Sequence, residues 1–305
     1  TTTDLIVQQP LDPSSGYFRT NTNVGEIKGQ GVEVDLGLNF FRSQEEGGFN
    51  WNTNINFTAN ETEVTDLGQE TDLIVYSGFG NLGNAAIEGQ PLGVIYGTRI
   101  LRDDAGNFVV NAIGDYVQDS QDGVIGDPNP DFVANINNTF SYKNFSLGFQ
   151  FNWTQGGDIW SSTISTLLGR GLIVETLDRE NTFVLPGVQQ SDGRVNDVQI
   201  NNSDYYFNNI LGNISELQVF DATVLRLQEV TLGYALPKKF LEDTPFGSLS
   251  FTVSGFNLWY DAINTPDGAN FDPNTSGTGV GNGFGFEFLN GPSSRRYGFS
   301  VKATF

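Results

Sequence analysis

The last eleven residues of the chain constrain its fold most, because apolar and polar side chains alternate there without a break. The apolar positions are Tyr297, Phe299, Val301, Ala303 and Phe305. The positions between them are Gly298, Ser300, Lys302 and Thr304. Successive side chains of a β-strand point to opposite faces, so this strand has one face in an apolar medium and one in water. A tilted strand of about 9–11 residues is long enough to cross the hydrocarbon of a bilayer.

The same alternation recurs along the chain. It covers residues 31–41, 49–60, 132–142, 145–154 and 249–254. Segment 224–236 changes phase near Gln228 and Glu229, which predicts one inserted residue, a β-bulge. Residues 4–8 form an eighth segment that is shorter and weaker. The sequence therefore predicts an all-β chain of about eight antiparallel strands.

The connections between these segments alternate in length. Residues 42–48, 143–144 and 237–247 are short turns, whereas residues 61–131, 155–223 and 259–294 are long. Short periplasmic turns at one rim and long extracellular loops at the other are typical of an outer-membrane β-barrel. A periplasmic C-terminus places every short turn in the periplasm, provided that the strand-like residues 91–101 belong to an extracellular loop.

Aromatic residues cluster at the ends of the predicted strands. They are Phe40, Phe41, Phe49, Trp51, Phe140, Tyr142, Phe145 and Phe305. Such clusters indicate a girdle at the membrane interface. The alternative is the aromatic core of a soluble β-sandwich. Sandwich strands usually run about 5–6 residues, and most of these segments are longer.

Composition narrows the chemistry of the chain. Its 305 residues include no His, Cys or Met, which excludes histidine and cysteine nucleophiles and imidazole or thiolate metal sites. The net charge of −21 argues against nucleic-acid binding, which needs clustered Lys and Arg. The start Thr1-Thr2-Thr3-Asp4 is neither an initiator Met nor a signal peptide, so we interpret the chain as an internal piece of a longer protein.

Two loop segments carry local signals. Residues 158–168 predict a short helix capped by Asp158. The glycine-rich residues 277–285 predict a mobile loop, and they lack the Lys that a phosphate-binding loop requires.

Several blocks of sequence resemble the late-barrel region of SusC/RagA-type TonB-dependent transporters. These blocks are residues 3–5, 23–27, 29–34, 88–93, 96–97, 125–132, 225–227, 233–237, 257–258 and 295–299. Each block is weak alone, but their order and spacing extend the resemblance over the whole chain. The resemblance implies that residues 1–305 form the C-terminal part of one barrel domain of 22 strands. The plug domain and the TonB box then lie outside this chain.

The resemblance also implies a function. It predicts import of glycans or peptides across the outer membrane of a Gram-negative bacterium, driven by TonB–ExbB–ExbD. A SusD-like surface lipoprotein is the expected partner, and outer-membrane lipid is the expected surrounding. No cofactor, no nucleic-acid partner and no enzymatic activity are expected.

Loop residues supply the candidate substrate contacts. They are Trp160, Trp259 and Tyr260, with Asp158 and Asp261 as polar additions. Aromatic faces stack on sugars or peptide side chains, although loop packing is the alternative role of each. Asp119 and Asp122 are weak calcium candidates, because Gln118 and Ser120 replace the oxygen ligands typical of such loops.

Two other functions stay open at this stage. One is a non-transporting outer-membrane adhesin or assembly scaffold. The other is a surface glycosidase, which needs two carboxyl groups about 5–9 Å apart in a cleft. No motif in the sequence indicates such a pair.

Overall fold

The structure is a computed structural model that describes residues 1–4, 6–10, 13–17, 19–23, 25–68, 71–79, 81–274 and 283–305. Leu5, Val24 and most of the glycine-rich segment 277–285 therefore lie outside the described residues. The described strands are β1 (Ile6–Pro10), β2 (Arg19–Asn23), β3 (Glu26–Arg42), β4 (Asn50–Asp66), β5 (Leu73–Phe79), β6 (Leu82–Ile87), β7 (Val94–Gly97), β8 (Val109–Val110), β9 (Gly123–Gly126), β10 (Phe132–Tyr142), β11 (Phe145–Gln155), β12 (Asp158–Ser161), β13 (Thr182–Val184), β14 (Val188–Gln189), β15 (Gln199–Asn201), β16 (Val219–Asp221), β17 (Val224–Ala235), β18 (Ser248–Asp261), β19 (Phe286–Glu287) and β20 (Arg296–Thr304).

Helical segments are short. The α-helices are α1 (Ser162–Gly169) and α2 (Asn202–Asp204), and α2 continues into a π-helical turn at Tyr205–Ile210. Further 3₁₀ turns are Pro13–Ser15, Val174–Thr176, Ser215–Gln218 and Lys238–Phe240. Among the described residues, no helix has the length and apolar character needed to cross a membrane.

Seven strands form one antiparallel sheet, the main sheet, in the order β20-β18-β17-β11-β10-β4-β3. The order of its strands in the sheet is their order along the chain, although strands of the long loops lie between some of them in sequence. The predicted antiparallel all-β architecture, with short turns at one end and long loops at the other, is confirmed. β3 and β4 extend beyond the predicted alternation, since their pairing reaches from Arg42–Asn50 up to Glu26–Asp66.

The two faces of the main sheet differ in chemistry. The outer face carries exposed apolar side chains: Val34 (45% exposed), Ile136 (36%), Leu147 (39%), Leu232 (52%), Val253 (53%) and Phe299 (68%). The opposite, inner face is rich in amides; Asn135 Oδ1 accepts from Gln150 Nε2 at 3.3 Å and from Asn152 Nδ2 at 3.0 Å. The chemistry of the inner face suits contact with water, whereas that of the outer face suits a hydrocarbon medium.

Two polar residues interrupt the apolar outer face at adjacent positions. Thr53 and Asn138 are directly paired across β4 and β10. Thr53 Oγ1 donates to Asn138 Oδ1 at 2.7 Å, and Trp51 Nε1 donates to the same oxygen at 3.1 Å. The interruption therefore satisfies its own hydrogen bonds, which is what an apolar surrounding demands.

The predicted bulge and the predicted clustering of aromatic residues at the strand ends are both confirmed, and their place at a membrane interface stays a prediction. Gln150 pairs with Glu229 and Phe151 pairs with Leu227, so Gln228 is the inserted residue. At the short-turn end, aromatic rings form a row with centroid distances of 4.5 Å (Phe40–Trp51), 5.4 Å (Trp51–Phe140) and 5.7 Å (Phe140–Phe149), and Phe145 and Tyr234 form a separate pair at 4.7 Å. Tyr142 and Phe145 are 51% and 55% exposed, so this row is not the core of a soluble sandwich.

The prediction for residues 4–8 is only half right. This region contains β1, but β1 pairs with β2 in a separate two-stranded sheet and is not a strand of the main sheet. Thr2 bridges Ile27, at the upper end of β3. β2 reads Arg-Thr-Asn-Thr-Asn and has no apolar alternation, so backbone pairing forms it where the side-chain pattern gives no signal.

The three long connections pack together on one end of the main sheet. We call the described residues within 67–131, 156–223 and 262–295 the loop layer. It contains the sheets β5-β6-β7-β9 and β16-β12-β19, and the prediction that residues 91–101 lie in a loop is confirmed by β7. One core cluster joins Leu82 and Ile95 from the first loop, Trp160 from the second and Phe286 from the third.

A buried carboxylate fastens the third loop to the second. The Glu287 side chain is fully buried. It accepts hydrogen bonds from Ser161 Oγ at 2.8 Å, Thr163 Oγ1 at 2.6 Å and Thr163 N at 3.1 Å. Buried polar groups need such partners, so the bonds fix where β19 lies beside α1.

Candidate substrate-binding surface in the loop layer

Trp160 lies inside the loop layer and not on its surface. β12 holds it between β16 and β19, and its side chain is 7% exposed. Its ring stacks on Phe288 with centroids 6.3 Å apart and an interplanar angle of 13°. Within the described part of the chain, the buried Trp160 Nε1 has no hydrogen-bond partner. Trp160 therefore supports neighbouring rings from beneath.

Two phenylalanines lie above this tryptophan and reach solvent. Phe79 is 44% exposed and Phe288 is 53% exposed, with ring centroids 5.6 Å apart. Phe79 also meets Phe286 edge-on at 6.3 Å. We call Phe79, Trp160, Phe286 and Phe288 the aromatic platform. It offers flat apolar faces for a sugar ring or an apolar side chain.

Of the four platform residues, sequence reasoning identified only Trp160, one of the two buried members. The stretch Phe284-Gly285-Phe286-Glu287-Phe288 alternates aromatic and other residues, and that pattern was the available signal. Phe79 gives no comparable signal, because its partner Phe288 lies more than 200 positions along the chain.

The prediction that Asp158 caps a helix is wrong. Asp158 is the first residue of β12, and α1 begins at Ser162 after the N-cap Ser161, whose Oγ accepts from Ile164 N at 3.1 Å. Asp158 Oδ2 instead accepts from Asp127 N at 2.8 Å. Burial raises the pKa of Asp158 against the effect of that bond, and the Asp127 and Asp221 carboxylates raise it further.

Trp259, Tyr260 and Asp261 follow one another on β18 and do not share a face. Trp259 lies opposite Leu227 on the apolar outer face and is 43% exposed. Asp261 lies opposite Leu225 on the same side. Tyr260 lies opposite Arg226 on the inner face, so it is the one of the three that faces the polar side.

Tyr260 belongs to a buried charged cluster. Arg226 and Asp272 form a two-bond ion pair with side chains 5% and 4% exposed. The Arg226 guanidinium carbon lies 5.7 Å from the Tyr260 ring centroid. Burial opposes ionisation of Asp272, but the hydrogen bond and the charge of Arg226 outweigh it and lower the Asp272 pKa. The pair ties the third loop to β17.

A polar cavity of about 560 Å³ opens where β4 rises beyond its pairing with β10. Its lining includes Gln30, Asn60, Glu61, Thr62, Pro91, Asp127, Asn129 and Asp131. Asn129 Nδ2 donates to Leu92 O at 3.1 Å, which ties two parts of the first loop together beside the cavity. Amide and carboxylate groups of this kind can bind hydroxyls or peptide groups.

Asp119 and Asp122 are engaged with protein groups. Asp119 Oδ2 accepts from Arg99 Nε at 2.9 Å, and the Asp122 carbonyl accepts from Tyr96 Oη at 3.1 Å. Throughout the described ranges, no three His, Cys, Asp or Glu side chains gather as a metal site. Calcium binding here stays a prediction.

No family model matches the chain. Among curated proteins of Formosa agariphila, TonB-dependent receptor P3 is 27% identical over 282 residues, covering 84% of this chain and 26% of its own length. TonB-dependent receptor P26 is 24% identical over 333 residues, covering 100% of this chain and 32% of its own. The chain thus spans about a third or less of these relatives. Their names describe receptors, in agreement with the prediction of a non-enzyme.

Solved structures share the fold. The RagAB peptide transporter matches 99% of this chain and 32% of its own chain, with a TM-score of 0.65 and 18% identity. The RagAB peptide importer in the closed-closed state gives a TM-score of 0.67 at 19% identity. Sequence and fold together confirm the resemblance to SusC/RagA-like TonB-dependent receptors and the outer-membrane location it implies.

Proposed function

We propose that this chain, as a segment of a SusC/RagA-like TonB-dependent receptor, forms barrel wall and outer loops of an importer for glycans or peptides. The two-faced main sheet carries this proposal. Exposed Val34, Ile136 and Leu232 suit lipid, whereas the amides of Asn135, Gln150 and others suit a water-filled path. The apolar outer face alone would equally suit a non-transporting outer-membrane adhesin or assembly scaffold, so the polar inner face is what favours an importer.

The edges of the main sheet support a closed wall. β3 and β20 are the outermost strands of the main sheet, and among the described residues each leaves most backbone groups unpaired along one side, the Thr2–Ile27 bridge excepted. Unpaired backbone groups are not tolerated in hydrocarbon. We infer that further strands of the receptor pair with both edges.

Substrate contact is proposed for the loop layer. The exposed Phe79 and Phe288 of the aromatic platform provide apolar faces, with Trp160 beneath them. The polar cavity beside β4 supplies amides and carboxylates. Tyr260 and Asp158 take part by fixing loop segments. Trp259 and Asp261 lie toward the outer face, so we place them at the edge of the proposed contact surface.

The proposed partners act at opposite ends of the wall. A SusD-like surface lipoprotein would cover the loop layer, as the RagAB names indicate two-component assemblies for the structural neighbours. TonB–ExbB–ExbD would supply energy through parts of the receptor outside this chain.

Uptake by the full-length receptor tests the proposal. Cells lacking the receptor gene, complemented with wild type or variants, would be given fluorescent oligopeptide and oligosaccharide pools. We expect deletion to abolish uptake of one pool and Phe79→Ala/Phe288→Ala to reduce it by about tenfold, since loss of the two aromatic contacts weakens binding by about 1.4 kcal/mol.

The matched control is Phe240→Ala. Phe240 is 58% exposed, comparable to Phe288, but lies at the short-turn end of the sheet. It should leave uptake unchanged. If deletion leaves uptake of both pools intact, the chain is not part of an importer for either class.

A further inference from the structure

A second cavity lies apart from the aromatic platform, within the second long loop. Its volume is about 320 Å³. It is lined by Leu168, Gly169, Arg170, Gly171, Thr176, Arg179, Ser203, Asp204, Tyr206 and Phe207. We call it the arginine pocket. Cavities that bind small ligands start at about this size and combine apolar walls with a few polar groups.

The arginines of this pocket differ from their neighbours in how they are paired. The first and second long loops contain five arginines and no lysine. Three of these arginines contact carboxylates: Arg99 with Asp119 at 2.9 Å, Arg102 with Glu216, and Arg194 with Asp197 at 2.7 Å. Arg170 and Arg179 have no carboxylate within 4.0 Å in the described part of the chain.

This difference is unexpected in so acidic a protein. With 36 acidic and 15 basic residues, a guanidinium has many possible partners. Both arginines without one line the same pocket. Asp204 also lines it, but its Oδ2 accepts from Asn201 Nδ2 at 2.9 Å. With two guanidiniums and one carboxylate, the pocket lining carries a net charge of +1.

Local structure holds both side chains in place. Gly171 has φ +66°, and a Cβ built there would lie 2.7 Å from Arg179 Nη2. Arg179 Nη2 donates to Gly171 O at 2.7 Å, so the absence of a side chain lets the guanidinium lie against the backbone. The Arg170 guanidinium carbon lies 5.9 Å from the Phe207 ring centroid. Most N–H donors of a five-donor guanidinium remain after one such bond.

We propose that the arginine pocket binds a carboxylate-bearing ligand. The carboxylate would accept hydrogen bonds from Arg170 and Arg179, and the apolar part of the ligand would lie against Phe207 and Leu168. Two guanidiniums match the planar geometry of a carboxylate and bind it more strongly than neutral donors do. This inference rests on the proposed function, because the pocket must face the substrate side of the membrane.

Equilibrium binding to the purified full-length receptor tests the pocket independently of uptake. The probes are triglutamate and trigalacturonate, which carry carboxylates on a peptide and on a sugar. Trialanine amide and maltotriose are their uncharged counterparts. By calorimetry at low salt, we expect at least one acidic probe to bind about tenfold more tightly than its counterpart, as charge-assisted hydrogen bonds would require.

Arginine variants then locate the binding. We expect Arg170→Gln and Arg179→Gln each to raise the Kd of that probe by about tenfold, and Arg179→Lys to restore only part of the affinity because it loses the fork. The control Arg194→Gln removes the same charge from the same loop, where Arg194 is already paired. It should leave the Kd unchanged.

Several outcomes overturn the inference. They are equal binding of acidic and neutral probes, and equal losses for Arg194→Gln and Arg179→Gln. If the arginine variants bind the probe normally but no longer retain the surface lipoprotein, the pocket is a contact for that lipoprotein and not a ligand site. Heat-modifiable gel mobility verifies that each variant is folded. Probe binding to the purified receptor together with unchanged uptake after deletion of the receptor gene would count against the proposed function and not against the pocket.

Discussion

The main sheet and the loop layer differ in where their apolar side chains lie. In the main sheet, apolar residues such as Val34 and Leu232 are 45% and 52% exposed. In the loop layer, Ile95 and Ile164 are completely buried. The same residue types therefore point outward in one region and inward in the other. The surrounding medium decides the direction, because apolar side chains leave water but gain nothing from leaving lipid.

Most buried polar side-chain groups of the described residues have protein partners in both regions, with Trp160 Nε1 and Arg226 Nε as exceptions. On the apolar face of the main sheet, Thr53 and Trp51 both donate to Asn138. In the loop layer, Glu287 accepts from Ser161 and Thr163. Lipid and a packed interior are alike in offering no water, so each isolated polar group needs a protein partner. Substitutions in the two regions should test two points. The regions share the need of buried polar groups for partners, and they differ in the direction of their apolar side chains.

The largest expected effect is in the loop layer, at the Arg226–Asp272 pair. Asp272→Ala leaves a guanidinium with a 5% exposed side chain without its carboxylate. Removing one partner of a buried pair typically destabilises by about 3–5 kcal/mol. Hydrogen exchange of residues 262–274 in the full-length receptor measures the loss. Asp192→Ala is the control, since its pair with Arg194 is 54% exposed on both sides and should contribute little.

If the two substitutions increase exchange equally, the ion pair does not anchor the third loop. The loop layer is then not a packed interior that excludes water.

A smaller effect is expected from charge on the outer face of the main sheet. Ile136→Lys places an ammonium among lipid-facing side chains, which costs about 2–4 kcal/mol near the middle of a bilayer. The neighbouring Asn137→Lys puts the same charge on the polar inner face and should cost far less. Denaturant unfolding of the receptor in lipid vesicles compares them. Similar losses for both variants would break the contrast between the faces.

The smallest effect concerns the polar interruption of that outer face. Asn138→Leu leaves the Thr53 hydroxyl and the Trp51 indole N–H without their acceptor, which should cost about 1–3 kcal/mol. Adding Thr53→Val removes one orphaned donor and should recover part of the loss. The same vesicle unfolding assay, arranged as a double-mutant cycle, measures the coupling. Additive effects would mean that the hydrogen bond is irrelevant in lipid.

Sequence patterns predicted the main sheet well, because one rule governs it. Each strand alternates with period two, so bounds such as Phe132–Tyr142 and even the bulge at Gln228 follow from local sequence. The short turns and the aromatic row followed from the same pattern. The prediction failed for β2, whose polar residues pair through the backbone alone.

Sequence patterns predicted the loop layer poorly, because contacts distant in sequence determine it. Trp160 was a surface candidate, yet β16 and β19 cover it. Asp158 was a helix cap, yet its partner is Asp127 from another loop. The aromatic platform joins Phe79 to Phe288, and no local pattern reports such a meeting. The direction of each side chain there depends on neighbours that only the fold supplies.

Accessibility of spin labels in native outer membranes tests the central claim most directly. Nitroxides at Val34, Ile136 and Leu147 would be compared with nitroxides at Asn54, Asn137 and Gln150 in the full-length receptor. We expect the first set to be relaxed mainly by oxygen, which concentrates in lipid, and the second mainly by a water-soluble nickel complex. Equal accessibility of both sets to the nickel complex would contradict a sheet with lipid on one face and water on the other.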